Sequence, residues 1–169
     1  MSGEREIVVI GSQAILGTVD EPPASMLFSM EADVYPLQSP EKAIEIEGNL
    51  GDGSQFQGMY GYYAHGVGPE TAKAPAGWEE RLVRVEVPPR PGEAGGAVAL
   101  CLDIHDLILA KCVAGRDRDW EFARDGLAAG LVQIEELLRR AGDLPVSVSA
   151  RAYIQKMLEG TFERGMQAR

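Results

Sequence analysis

Two cysteines in 169 residues leave no basis for a disulfide-stapled fold. Cys101 and Cys112 sit among apolar neighbours, without metal-ligand spacing, and read as buried thiols. Histidine is as scarce, at two residues, and without a His-x-x-x-His pair there is no zinc motif. No apolar run approaches the roughly 18–20 residues needed to span a bilayer. The opening MSGEREIVVIG lacks signal-peptide architecture. A cytoplasmic location without a membrane partner is therefore expected. Cations are in deficit: 16 Lys and Arg against 26 Asp and Glu give a net charge of −10. That argues against non-specific binding along a nucleic-acid backbone, although one local cluster of cations suffices for a nucleotide. Walker A loop, Gly-x-Ser-x-Gly elbow and Gly-x-Gly-x-x-Gly fingerprint are all missing.

What is present suits a globular fold with a real core: 45% hydrophobic and 25% charged residues. Short β-branched or alternating runs recur in the first part, at Ile7–Ile10, Met26–Tyr35, within Trp78–Val87 and at Val98–Leu102. A short helix is expected near Pro40–Ala43. The Gly-rich segment 48–58 reads as a mobile loop, and 88–96 as a Pro/Gly hairpin turn. Beyond Asp103 the pattern turns helical. Asp103 or His105 stands near a cap, helices follow over 120–130 and 132–141, Gly142 is a C′ stop, and Ser147 or Ser149 caps a last helix. The expected fold class is α+β. A small mixed sheet over residues 1–102 is packed by a helical region over 103–169, which walls a cleft.

The chemistry concentrates at the start. Gly11-Ser12 ends the first strand, and Gln13–Leu16 reads as the first turn of a helix. In the next extended run Glu31 and Asp33 project to one face, leaving Met30, Ala32 and Val34 for the core. Two carboxylates side by side repel unless a cation lies between them. A hard divalent ion such as Mg²⁺ (or Mn²⁺) favours that oxygen pair.

Gly-Ser at a helix start followed by an acidic-x-acidic strand resembles the signature of the polymerase-β-type nucleotidyltransferase superfamily. The wider phrase VVIGSQAILG…SMEADVYP is similar to small bacterial nucleotidyltransferase-like proteins related to the toxin half of some toxin–antitoxin pairs. The resemblance implies that Gly11 and Ser12 hold a nucleoside triphosphate and that Glu31 and Asp33 bind the metal. It further implies transfer of a nucleotide to RNA, such as the tRNA acceptor end, or to a protein, with an antitoxin as a possible partner. Relatives in that group carry a helix before the first strand, so a late or trimmed start is also implied.

A second stretch, DLILAKCVAGRDRDWEF, carries Lys111, Arg116 and Asp119. On a helix, Leu107, Ala110 and Ala114 share a face from which Lys111 protrudes; a lysine in such a setting suits phosphate binding or base work. Taken alone, Arg-Asp-Arg-Asp is a solvated, salt-bridged turn. The resemblance instead implies that Lys111 contacts the triphosphate, that Asp119 is the later essential acid, and that Arg116 assists with phosphate. The superfamily pattern also calls for a third carboxylate on a neighbouring strand, for which Glu86 in VRVEV is the candidate. His65 could enter the cleft, but its neighbouring tyrosines read as a wall of core, and His105 reads as a cap or surface residue before a ligand. A catalytically inactive nucleotide-binding module and a partner-binding protein are the alternatives.

Overall fold

A computed structural model describes residues 5–89, 91–92 and 95–167. Among these residues five short strands, β1 (Glu6–Val9), β2 (Glu31–Pro36), β3 (Tyr63–Gly66), β4 (Val83–Val87) and β5 (Ala97–Cys101), form one sheet in the order β3-β2-β1-β5-β4. β1 runs antiparallel to β2 and parallel to β5; β2 is parallel to β3, and β4 antiparallel to β5. Two helices, α1 (Ala43–Leu50) and α2 (Gln55–Tyr60), intervene between β2 and β3. Four more follow the last strand: α3 (Ile104–Ala114), α4 (Asp117–Ala128), α5 (Ile134–Ala141) and α6 (Val148–Gln167). A mixed sheet with helices gathered after it is the α+β class expected.

α3 is the centre of the packing. Its sequence is apolar nearly all round, as a buried helix must be, and Leu107, Ile108 and Leu109 are essentially inaccessible to solvent. Asp103 starts it by accepting the His105 N–H at 3.0 Å. Gly115, at φ 71°, ends it in the left-handed region that a side chain would strain. α3 packs on α4, on α5 and on the turn after β1, while α6 closes over α4 and α5.

Several expectations are corrected. Gln13–Leu16 lies in a 3-10 turn, Ser12–Gly17, that buries Ala14 and Ile15 and leaves Leu16 exposed. A Cβ on Gly17 would come within 2.4 Å of Cys101 Sγ, so the turn lies too tightly on β5 for a side chain there. The strand after the Pro-rich turn begins only at Glu31, and Met30, placed before it, is exposed rather than core. Most of 48–58 is helical: Ser54 Oγ accepts the Gln57 N–H at 3.1 Å and Gly61, at φ 77°, stops α2, so local capping outweighs the glycine content. Phe56, Tyr60 and Tyr62 form a ring cluster on the surface, not a wall of core. Gly142 follows α5 with an ordinary helical φ of −61°, without the left-handed C′ geometry. Ser147, not Ser149, caps α6, accepting the Ala150 N–H at 3.2 Å. Both cysteines are free and buried, and burial pushes the Cys112 thiol up to about 12.

One charged network runs through this core. Asp106, fully buried on α3, accepts from Arg81 Nε at 2.7 Å and from Arg140 Nη1 at 3.0 Å. Arg140 also reaches Asp103 at 2.7 Å. Burial opposes ionisation of Asp103, but the bond to His105 and the charge of Arg140 prevail and hold its carboxyl at about 2.

Removing one partner leaves the others buried and uncompensated, so Asp106→Ala should lower unfolding free energy by about 3–5 kcal/mol in a urea titration. Asp103 has a folded pKa below its ordinary 3.8, so its contribution is complete above that value and is lost as pH falls toward about 2. Asp103→Asn should therefore flatten the acid limb of the stability profile.

Candidate active site

The period-2 geometry of β2 places Glu31 and Asp33 on one face of the sheet. Parallel pairing with β3 sets Glu31 opposite Tyr63 and Asp33 opposite His65. The His65 ring completes the group: Nδ1 lies 2.7 Å from Glu31 Oε1 and 3.0 Å from Asp33 Oδ1. Among the described residues this is the one cluster of three His, Cys, Asp or Glu side chains spaced to hold a metal ion, with ligand atoms within 4.8 Å of one another. Two oxygens and an imidazole nitrogen are a donor set that suits a divalent cation.

Local contacts hold the cluster. Ser29 Oγ accepts the Glu31 N–H at 3.2 Å, and Gln13 Nε2 donates to the Ser29 carbonyl. The Ile10 N–H donates to the Asp33 carbonyl at 3.0 Å, bringing the end of β1 against β2. A Cβ on Gly11 would stand 2.0 Å from Asp33 Oδ2. Glycine is therefore needed because the Asp33 carboxylate occupies the space of a side chain, not because of its backbone angle.

Asp33 and His65 retain their protons more tightly than usual. Burial raises Asp33, helped by the charge of Glu31 and opposed by His65 and Lys111. Burial works against a charged His65, but the bond to Asp33 and the charge of both carboxylates outweigh it and raise the ring. The pocket thus favours positive charge between its carboxylates.

The helical half faces this cluster across a cleft of about 550 Å³. Lys111 lies in the last turn of α3, and α4 begins beyond Gly115 with Arg116 and Asp119. Asp119 is buried and organises the wall. It accepts from Arg116 Nε at 2.7 Å and from the Arg116 backbone N–H at 3.2 Å, and pairs with Lys111 Nζ at 3.6 Å. Lys111 also stands over the Phe122 ring, 5.7 Å from its centre. Burial would raise the Asp119 carboxyl, yet Arg116 and Lys111 lower it; Lys111 is itself lowered, chiefly by burial against the pull of Asp119.

Ser12, Glu31, Asp33, Lys111, Arg116 and Asp119 therefore line one cleft. Gly11 lies beside it, in a hollow that shares Asp33, Lys111 and Arg116. Arg-Asp-Arg-Asp is a helix start around a buried acid, not a free solvated turn. Glu86 is corrected: it sits on β4, at the far edge of the sheet from β3, where it accepts from Arg84 at 2.8 Å. His65 occupies the neighbouring-strand position sought for a third acid. The alternating Tyr63-Ala64-His65 was the available signal, but its register against β2 was not. Phe28, exposed at the cleft, carried no pattern that singled it out. His105 is engaged with Gln133, at 3.1 Å, and with Asp103.

An NMR titration should find His65 holding its proton above the ordinary 6.5. Asp33→Asn should lower that midpoint, and Gly11→Ala should do the same by displacing the carboxylate, at a stability cost of about 1–3 kcal/mol.

No helix among the described residues is long and apolar enough to cross a membrane. No curated protein and no solved structure matches the chain. One family model, described as a nucleotidyltransferase of unknown function (DUF6036), matches residues 1–163, a span that takes in both walls of the cleft. An acid pair on a strand beside a Gly-Ser turn, faced by a lysine and an arginine held on a buried aspartate, thus lies within a family match covering nearly the whole sequence, and the chain belongs to this nucleotidyltransferase family.

Proposed function

We propose that this protein transfers a nucleotidyl group from a nucleoside triphosphate to a hydroxyl of an RNA or protein acceptor, with a divalent cation bound by Glu31 and Asp33. The acceptor hydroxyl oxygen bonds to the α-phosphorus and releases its proton to solvent, the bond from that phosphorus to the β-bridging oxygen breaks, and pyrophosphate leaves. The observation that carries this reading is the division of one cleft into an acidic wall and a cationic wall. A metal–triphosphate complex has that same division of charge.

Bound between the carboxylates, the cation would neutralise phosphate charge as it develops. Lys111 and Arg116 bind and orient the triphosphate, Lys111 as a compact charge and Arg116 through its fork of donors. Asp119, the later acid of the resembled pattern, keeps both cations aimed at the cleft. Ser12, at the start of its turn, offers a hydroxyl to the phosphates from the sheet side.

Calorimetry with the four common nucleoside triphosphates, with and without divalent cation, tests the reading before the acceptor is identified. Wild-type protein should bind in a cation-dependent manner, and Asp33→Asn should lose that binding. Lys111→Ala should weaken it by about tenfold or more, as expected for a lost charged contact. Asp119→Asn should also weaken it, without removing the cation dependence. Absence of binding in every condition would overturn the proposal. A labelled-nucleotide transfer screen over cellular RNA and protein then separates the acceptor classes.

A further inference from the structure

We infer that His65 is the third ligand of the cation site and that its nitrogen shifts the site's preference from Mg²⁺ toward Mn²⁺ and neighbouring first-row divalent ions. The inference rests on the cation-dependent reading above and deepens it, because it names the class of metal.

Three observations converge on His65. Strand register comes first: in the parallel β2–β3 pair, Asp33 and His65 are direct partners, so the ring is delivered by the sheet and not by a loose loop. Spacing comes second. Ligands at right angles around an octahedral ion, each roughly 2.1 Å from it, lie about 3 Å from one another. His65 Nδ1 is 2.7 Å and 3.0 Å from one oxygen of each carboxylate. Third, among the described residues no fourth His, Cys, Asp or Glu joins the cluster, and Glu86 lies on β4 at the far edge of the sheet, paired with Arg84 of the same strand.

The donor set decides the metal. Mg²⁺ is hard, favours oxygen and retains its waters, so an imidazole gives it little. First-row ions accept imidazole readily, with affinity rising from Mn²⁺ through Fe²⁺ and Co²⁺ to Ni²⁺. Mn²⁺ combines that tolerance with the carboxylate and phosphate preference of the rest of the cleft. A third carboxylate at this position would instead favour Mg²⁺. The space left by Gly11 allows Asp33 to stay turned toward the ring.

The test uses the whole protein with Mn²⁺ alone and again with ATP. Pulsed electron paramagnetic resonance reads imidazole nitrogen coupled to the bound Mn²⁺, and competition calorimetry reads the Mn²⁺ to Mg²⁺ affinity ratio. Wild type should show the nitrogen coupling. His65→Asp should still bind metal, lose the coupling, and reduce the affinity ratio by about tenfold or more. His65→Ala should lose the coupling as well, with circular dichroism confirming that both variants remain folded. Mn²⁺ binding that depends on Asp33 but shows no nitrogen coupling, or an affinity ratio unchanged in His65→Asp, would overturn His65 as a ligand and leave the nucleotidyl reading standing. Absence of any Asp33-dependent cation binding, with or without ATP, would overturn both.

Discussion

The carboxylate of Asp106 holds α3 to both halves of the chain. Arg81 reaches it from the segment leading into β4, and Arg140 reaches it from α5. With three charges meeting out of water, the geometry must be satisfied almost completely or the cost of burial is not recovered. The first turn of α3 is therefore fixed, and a straight helix transmits that placement to its last turn, where Lys111 enters the cleft. Gly115 then lets the chain reverse so that Asp119 comes back under Lys111.

On the opposite wall the organising constraint is repulsion. Two carboxylates project from one face of β2, and β3 answers them with the His65 ring. The sheet supplies negative charge concentrated at one point, and the helices supply positive charge spread over Lys111 and Arg116. In the proposed reaction the two walls act on different parts of one ligand, the metal and the phosphates. A net charge of −10 is thus compatible with an anionic substrate, because the field at the cleft is set locally.

The fold class and the acid pair were legible because both depend on short-range pattern. Alternation puts Glu31 with Asp33 whatever the sheet does around them, and the Asp103–His105 stretch announces a helix start. Lys111 was legible as a phosphate-binding lysine from its helical setting, but Asp119 only through family resemblance, since the meeting of the two depends on the angle between two helices at Gly115. His65 was passed over for the same kind of reason: its partner is set by β2–β3 register, a long-range fact with no local signature. Glu86 failed in the opposite direction. It satisfied the local alternation of a strand but belonged to the wrong edge of the sheet. The helix α2 was hidden by glycines whose effect was outweighed by the cap at Ser54 and the left-handed stop at Gly61.

The order of the site along the chain has a consequence for synthesis. The acidic wall is complete in sequence by His65, whereas the cationic wall begins only at Lys111 and is held by Asp119. During elongation at about 5–20 residues per second, the ribosome adds the first wall seconds before the second. A partial chain carries the acidic cluster without Lys111 and Arg116 opposite it. The cleft is consequently a property of a polypeptide elongated past Asp119, and it is assembled only once the helices after β5 have folded back onto the sheet.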